Sequence, residues 1–142
     1  MAELTLEQAN GIIEAAIGKA REMGIPPLGV VVLDAGGHMK AMQREDGATM
    51  FRGDVAKGKA WAAVAMGLSS RGVANRAKDN PNFFMTLAST AHGQFLPQPG
   101  AVLIKDADGR VLGAAGASGG TGDEDEACCI AGVEHVGLVA SV

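Results

Sequence analysis

The feature that most constrains this chain is a pair of apolar runs that each turn back on themselves through glycine. Residues 28–34 (LGVVVLD) are Val-rich and too apolar for an edge strand, so they read as a central strand. Ala35-Gly36-Gly37-His38 supplies turn residues, and residues 39–44 alternate well enough for a partner strand. The pattern returns at residues 101–106 (AVLIKD), followed by Ala107-Asp108-Gly109 and residues 110–115. Asp-Gly between two apolar runs is a strong short-range hairpin signal. Four strands are thereby assigned, and a fifth is expected without a position.

Helical sequence fills the space around the hairpins. Thr5 and Gln8 make a capping box, and Ala9, Ile12, Ile13, Ala16, Ile17, Ala20 and Met23 then recur at helical spacing until Gly24 and Pro26-Pro27 stop the helix. Residues 55–68 form an Ala-rich helix around Trp61, and Asn80-Pro81 opens another helix running towards His92. At the end of the chain, Asp123 and Glu126 have the capping-box spacing, with Ile130, Val133, Gly137 and Ala140 at helical intervals behind them. The order helix, hairpin, helices, hairpin, helix predicts an antiparallel sheet covered by helices, not a doubly wound parallel sheet.

At 142 residues the chain fits one domain, residues 1–142, with no internal repeat beyond the two hairpins and no linker. A net charge of −4 argues against nucleic acid as a partner, because phosphate binding needs a basic face. No apolar run approaches the roughly 20 residues of a membrane span. The acidic N-terminus lacks the basic start and apolar stretch of a signal peptide, so the expected location is cytoplasmic. Aromatic residues make up only 4% of the chain, which limits the area it buries per residue; self-association is a common remedy.

The chemistry-bearing residues divide into several groups. Gly119 to Gly122 form a glycine-rich loop at a helix start, able to cradle an anion through backbone N–H groups or to serve simply as a tight turn. The loop matches neither a dinucleotide fingerprint nor a P-loop, and the acidic run behind it repels phosphate. Glu124, Asp125 and Glu126 are candidate cation or iron ligands, although consecutive carboxylates cannot all face one ion. His92 closes a helix beside a Pro-rich turn and is a candidate haem ligand or general base; His38 reads as exposed and His135, in the last helix, as solvated or interfacial. Lys59, set among small residues next to Trp61, is a candidate buried lysine for catalysis or anion binding, and Lys57 lies in the same helix. Arg44 ends a strand and can clamp a carboxylate. The adjacent Cys128 and Cys129 read as buried small residues, and the absence of a CxxCH motif excludes covalent haem attachment.

Taken in order, Val31 to His38 (VVLDAGGH), Arg44 to Ala48, Lys57 to Ala60, Pro99 to Val102 and Gly116 to Ala127 resemble the GlcG/HbpS family, also called the haem-degrading domain and related to the C-terminal domain of PduO. The resemblance covers nearly the whole chain. It implies an α+β, profilin-like, three-layer α/β/α fold with a five-stranded antiparallel sheet, and higher oligomers such as octamers. It also implies a ligand pocket near the sheet, with the family lysine at Lys59 and the acidic pair at Asp125 and Glu126. Some relatives bind haem or iron, and others accompany catabolic pathways.

Two functional readings follow, with a purely structural or regulatory module as a third. The first is a binding protein for haem, a tetrapyrrole or iron, with His92, Lys59, Gly119 and Gly120 at the cofactor and Asp125 and Glu126 as metal ligands. The second is a small catabolic isomerase, lyase or hydrolase acting on an oxygenated acid or aromatic, with Lys59, His92 and Arg44 as its catalytic groups.

Overall fold

The computed structural model describes residues 3–142. Five antiparallel strands form one sheet in the order β2-β1-β4-β3-β5. They are β1 (Gly29–Asp34), β2 (Met39–Arg44), β3 (Ala101–Lys105), β4 (Val111–Ser118) and β5 (Val139–Ser141), interleaved with helices α1 (Leu6–Met23), α2 (Phe51–Met66), α3 (Ser70–Asp79), α4 (Pro81–Thr90) and α5 (Gly122–His135).

The continuous apolar character of β1 and β3 follows from burial on both faces. Successive side chains along a strand point to opposite sides. Val30, Val32, Val102 and Ile104 therefore pack with α1 and α5, whose contribution includes Ile12, Ile13, Cys128 and Val133. Val31, Leu33, Ala101 and Leu103 pack on the other side against Ala56, Ala60 and Ala63 of α2. Each fully buried Val or Leu contributes roughly 1.5–3 kcal/mol relative to exposure, so the two apolar faces together commit the sheet to a three-layer arrangement. The small residues of α2 serve close approach: a Cβ at Gly116 of β4 would stand 2.3 Å from the Ala56 carbonyl oxygen. Outside α2 lies a third cluster, where Val73, Phe84, Ala91 and Phe95 hold α3 and α4 against Ala62.

The α+β class, the sheet and both hairpins agree with the sequence reading. Three local expectations are corrected. The last helix does not continue to Ala140; it ends at His135, where Gly137 adopts φ 80° and Leu138 N–H bonds back to the Val133 carbonyl. The chain then forms the fifth strand, with Val139, Ala140 and Ser141 pairing with Lys105, Ile104 and Leu103 of β3. The capping box of α5 uses Thr121 and Glu124, not Asp123 and Glu126, because Thr121 is the extended residue whose hydroxyl accepts the Glu124 N–H. Finally, α2 begins at Phe51, one turn before the expected start. Among the described residues, no helix is long and apolar enough to cross a membrane.

Candidate functional site

The sheet ends in an open cleft of about 430 Å³ where β4 gives way to the glycine-rich loop. Its lining comes from three places: Arg52, Val55 and Lys59 on α2; Leu96, Gln98 and Pro99 ahead of β3; and Ser118 at the end of β4 with residues 120–123 and Asp125 beyond it. Residues 52, 55 or 56, and 59 fall on one face of a helix, so α2 presents Arg52 and Lys59 to the same cleft, two turns apart.

Lys59 is the centre of the site. Its side chain is only 7% exposed, and its Nζ donates to Asp125 Oδ2 at 3.0 Å and to the Ala117 carbonyl at 3.1 Å. An ammonium has three hydrogens, so one remains after these two bonds. Gly100 is required by this geometry, since a Cβ there would stand 2.6 Å from Lys59 Nζ, and the backbone has φ 133°. Asp125 Oδ1 accepts the Gly120 N–H at 2.9 Å. The anion cradled by the glycine-rich loop is therefore the chain's own carboxylate. Burial pushes the Asp125 carboxyl above its ordinary range, opposed by the attraction of Lys59 and by backbone hydrogen bonds from the loop.

Arg52 lies at the cleft mouth, where its guanidinium donates to Ser118 Oγ at 3.3 Å. It has no carboxylate partner among the described residues, whereas every other charge lining the cleft is neutralised. Arg71 of α3 bonds both Asp123 and Glu126, which ties α3 to the first turns of α5. These carboxylates raise the Arg71 pKa further, the Glu126 hydrogen bond contributing most.

The expected site residues are thus sorted by position. Lys59, Gly120 and Asp125 come together, and Gly119 adjoins Gly120 at a point where a Cβ would clash with the Pro27 carbonyl oxygen and Leu28. Glu126 turns away to Arg71 while Asp125 turns to Lys59, so the two carboxylates serve different cations. Among the described residues, no group of three or more His, Cys, Asp or Glu is arranged to hold a metal ion. Arg44 is exposed on β2 and donates to the Ala48 carbonyl. His92 is exposed beyond α4, outside the cleft lining, in the left-handed region at φ 54°. There it closes the helix, with its N–H on Ser89 and the Gly93 N–H on Ala88. His38, also exposed, lies at the opposite end of the sheet beside Asp34 in a second cleft of about 240 Å³. The sequence reading missed Arg52, Ser118 and Arg71. The seven-residue spacing from Arg52 to Lys59 is the signal that points to the first.

These features define an α+β domain with an open cleft at one end of its sheet, lined by Arg52, Lys59, Asp123 and Asp125. Residues 4–134 match the family model for haem degrading protein HbpS-like, and the chain belongs to that family. The fold is similar to that of the PduOC:haem complex, with a TM-score of 0.86 and 22% identity over 99% of this chain and 100% of that one. It is also similar to HbpS of Streptomyces reticuli, solved as a double mutant, with a TM-score of 0.82 and 30% identity over 94% and 87% of the two chains. In sequence it is 28% identical over 125 residues to a 15.0 kDa protein from the dhaT-dhaS intergenic region of Citrobacter freundii, covering 88% of this chain and 86% of that one.

Proposed function

We propose that this protein binds a carboxylate-bearing small molecule of the haem or tetrapyrrole class at the cleft between Arg52 and Lys59. The observation that carries the reading is Arg52, a cation without a carboxylate partner among the described residues, in the same cleft lining as the buried Lys59. The propionates of a tetrapyrrole suit these two donors, since charge-assisted hydrogen bonds are the strong ones. Similarity to the PduOC:haem complex supports the ligand class.

The fit to iron is different. No His, Cys or Met side chain lines the cleft. The residues lining the cleft fit the carboxylates of a tetrapyrrole and supply no His, Cys or Met donor to its metal, whose redox chemistry would be the cofactor's own. Titration with haemin and with metal-free protoporphyrin, followed by Soret absorbance, tests this reading. Both ligands are expected to bind alike, to weaken on Arg52→Ala and to be unaffected by His92→Ala. Binding that needs iron and is lost on His92→Ala would overturn it.

The enzyme reading draws support from one observation, the buried Lys59–Asp125 pair of titratable groups, with Arg52 in the place considered for Arg44. Self-association, with an octamer as the proposed state, is supported by the exposed Met39 and Met42 on the edge strand β2. Light scattering of the purified protein tests it; a monomer at micromolar concentration would refute it.

A further inference from the structure

We propose that the same cleft is a binding site for a short 2-oxo carboxylic acid, its carboxylate on Arg52 and its 2-oxo oxygen on Lys59. The inference rests on the reading of the cleft as a carboxylate site and adds a ligand class of its own. Three observations carry it. Arg52 and Lys59 are anchored to consecutive residues of one strand, Arg52 to Ser118 Oγ and Lys59 to the Ala117 carbonyl, and both line the same cleft. One small molecule can therefore meet both.

The donor set then selects the ligand. Arg52 and Lys59 offer only hydrogens, with no acceptor lone pair. Asp125, the one buried carboxylate in the lining, has Oδ2 on Lys59 and Oδ1 on Gly120. The site thus matches a molecule with two acceptor positions close together, and it disfavours a 2-amino acid, whose ammonium would face Arg52 and Lys59. Ser118 Oγ accepts from Arg52, which fixes the guanidinium at the cleft and leaves the hydroxyl hydrogen as a further donor. The open volume of about 430 Å³ exceeds what such a short acid needs, so the acid leaves room for a substituent at its far end.

The ion pair also decides the chemistry that Lys59 performs. A lysine becomes a nucleophile towards a carbonyl as the neutral amine. Here the ammonium is held against Asp125 at 3.0 Å, so it donates a hydrogen bond to the oxo oxygen and no carbon–nitrogen bond forms.

Isothermal titration calorimetry tests the assignment, with pyruvate as the probe, acetate lacking the 2-oxygen and alanine carrying an ammonium there. Pyruvate is expected to bind saturably, acetate about tenfold more weakly, and alanine without measurable heat. Arg52→Ala should weaken pyruvate by about tenfold or more, and Arg52→Lys by less, because it keeps the charge and loses the fork. Treatment of the pyruvate complex with borohydride should leave Lys59 unmodified in the peptide map. Equal binding of acetate, unchanged binding in Arg52→Ala, or a reduced adduct on Lys59 would each overturn the proposal. If metal-free protoporphyrin binds through Arg52 and pyruvate does not bind at all, this inference falls alone; if neither ligand depends on Arg52, the carboxylate reading of the cleft falls with it.

Discussion

Lys59 and Asp125, 66 residues apart in sequence, meet at 3.0 Å in the interior with 7% and 2% of their side chains exposed. Removing one partner of such a pair leaves an uncompensated buried charge, which typically costs about 3–5 kcal/mol, whereas removing both is often close to neutral. Lys59→Met is therefore expected to destabilise at neutral pH by that amount, and Lys59→Met with Asp125→Asn to recover much of it. Asn retains the Oδ1 acceptor for the Gly120 N–H. The sign of the pH dependence follows from Asp125. Burial raises its folded pKa above the ordinary 3.8, so the folded state takes up the proton first and stability rises as pH falls through that window. Loss of Lys59 removes an opposing attraction and strengthens the effect. Urea unfolding at about pH 7 and about pH 5 reads it; equal loss in Lys59→Met at both values, or additive losses in the double variant, would show that the pair is not coupled.

The approach of α2 to the sheet gives a second prediction, with a control of opposite sign. A Cβ at Gly116 would meet the Ala56 carbonyl oxygen at 2.3 Å and Ala60 Cβ at 3.1 Å, and the Ala56 contact is to backbone, which cannot rotate aside. Gly116→Ala should cost about 1–3 kcal/mol as overpacking. Gly18→Ala sits on an exposed turn of α1 with nothing within 4 Å, and should stabilise by about 0.5–1 kcal/mol through helix propensity and a stiffer unfolded chain. Thermal unfolding of both variants decides the matter. A neutral Gly116→Ala would mean that α2 stands further from β4 than this geometry allows.

The fold was legible wherever local pattern and tertiary role coincide. β1 and β3 are buried on both faces, so their composition alone marks them as central strands. β5 escaped because it has three residues and owes its existence to a partner, β3, far back in the chain; its Ala140 falls in phase with the preceding helix until Gly137 breaks it. The site was legible in parts. Lys59 and Asp125 each drew attention by residue type, yet their pairing is a property of the sheet that brings α2 and α5 to one end. Arg52 was missed because the helix was expected to begin at residue 55, which left this residue in a loop with no face to share with Lys59. His92 illustrates the converse. Its place at a helix end suggested chemistry, and the structure shows it in the left-handed conformation that ends α4.

Arg71 reaches from α3 to both Asp123 and Glu126, but its side chain is 35% exposed and Asp123 is 84% exposed. Solvent screening leaves such a network little net energy, about 0–1 kcal/mol. Arg71→Ala is expected to shift the urea midpoint only slightly. Its larger effect should be local, because the pair is the side-chain tie between α3 and the start of α5. Amide exchange in residues 70–79 should accelerate while exchange in β1 and β3 stays unchanged. A uniform change across the protein would argue that Arg71 supports the core and not this one junction.

Cys128 and Cys129 are fully buried in the face of α5 that meets α1 and the sheet, and neither is bonded to another cysteine. Burial pushes the Cys128 thiol up to about 11 and the Cys129 thiol further still, so both stay protonated at neutral pH and present no thiolate to reagents. Ellman's reagent should find two thiols in denaturant and react with neither in the native protein on the same timescale. The alkaline side has a definite sign. Unfolded thiols ionise near 9.0, ahead of the folded ones, so between about pH 9 and about pH 11 the unfolded state holds fewer protons and stability falls as pH rises. For Cys128 the two-unit gap corresponds to a loss on the order of 2 kcal/mol at the upper end. Cys128→Ala should be less stable at neutral pH through its lost packing, and it should lose less on going from about pH 8 to about pH 10 than the unsubstituted protein. Parallel alkaline slopes in the two proteins, or rapid native labelling of either thiol, would mean that α5 leaves the sheet far more often than its packing implies.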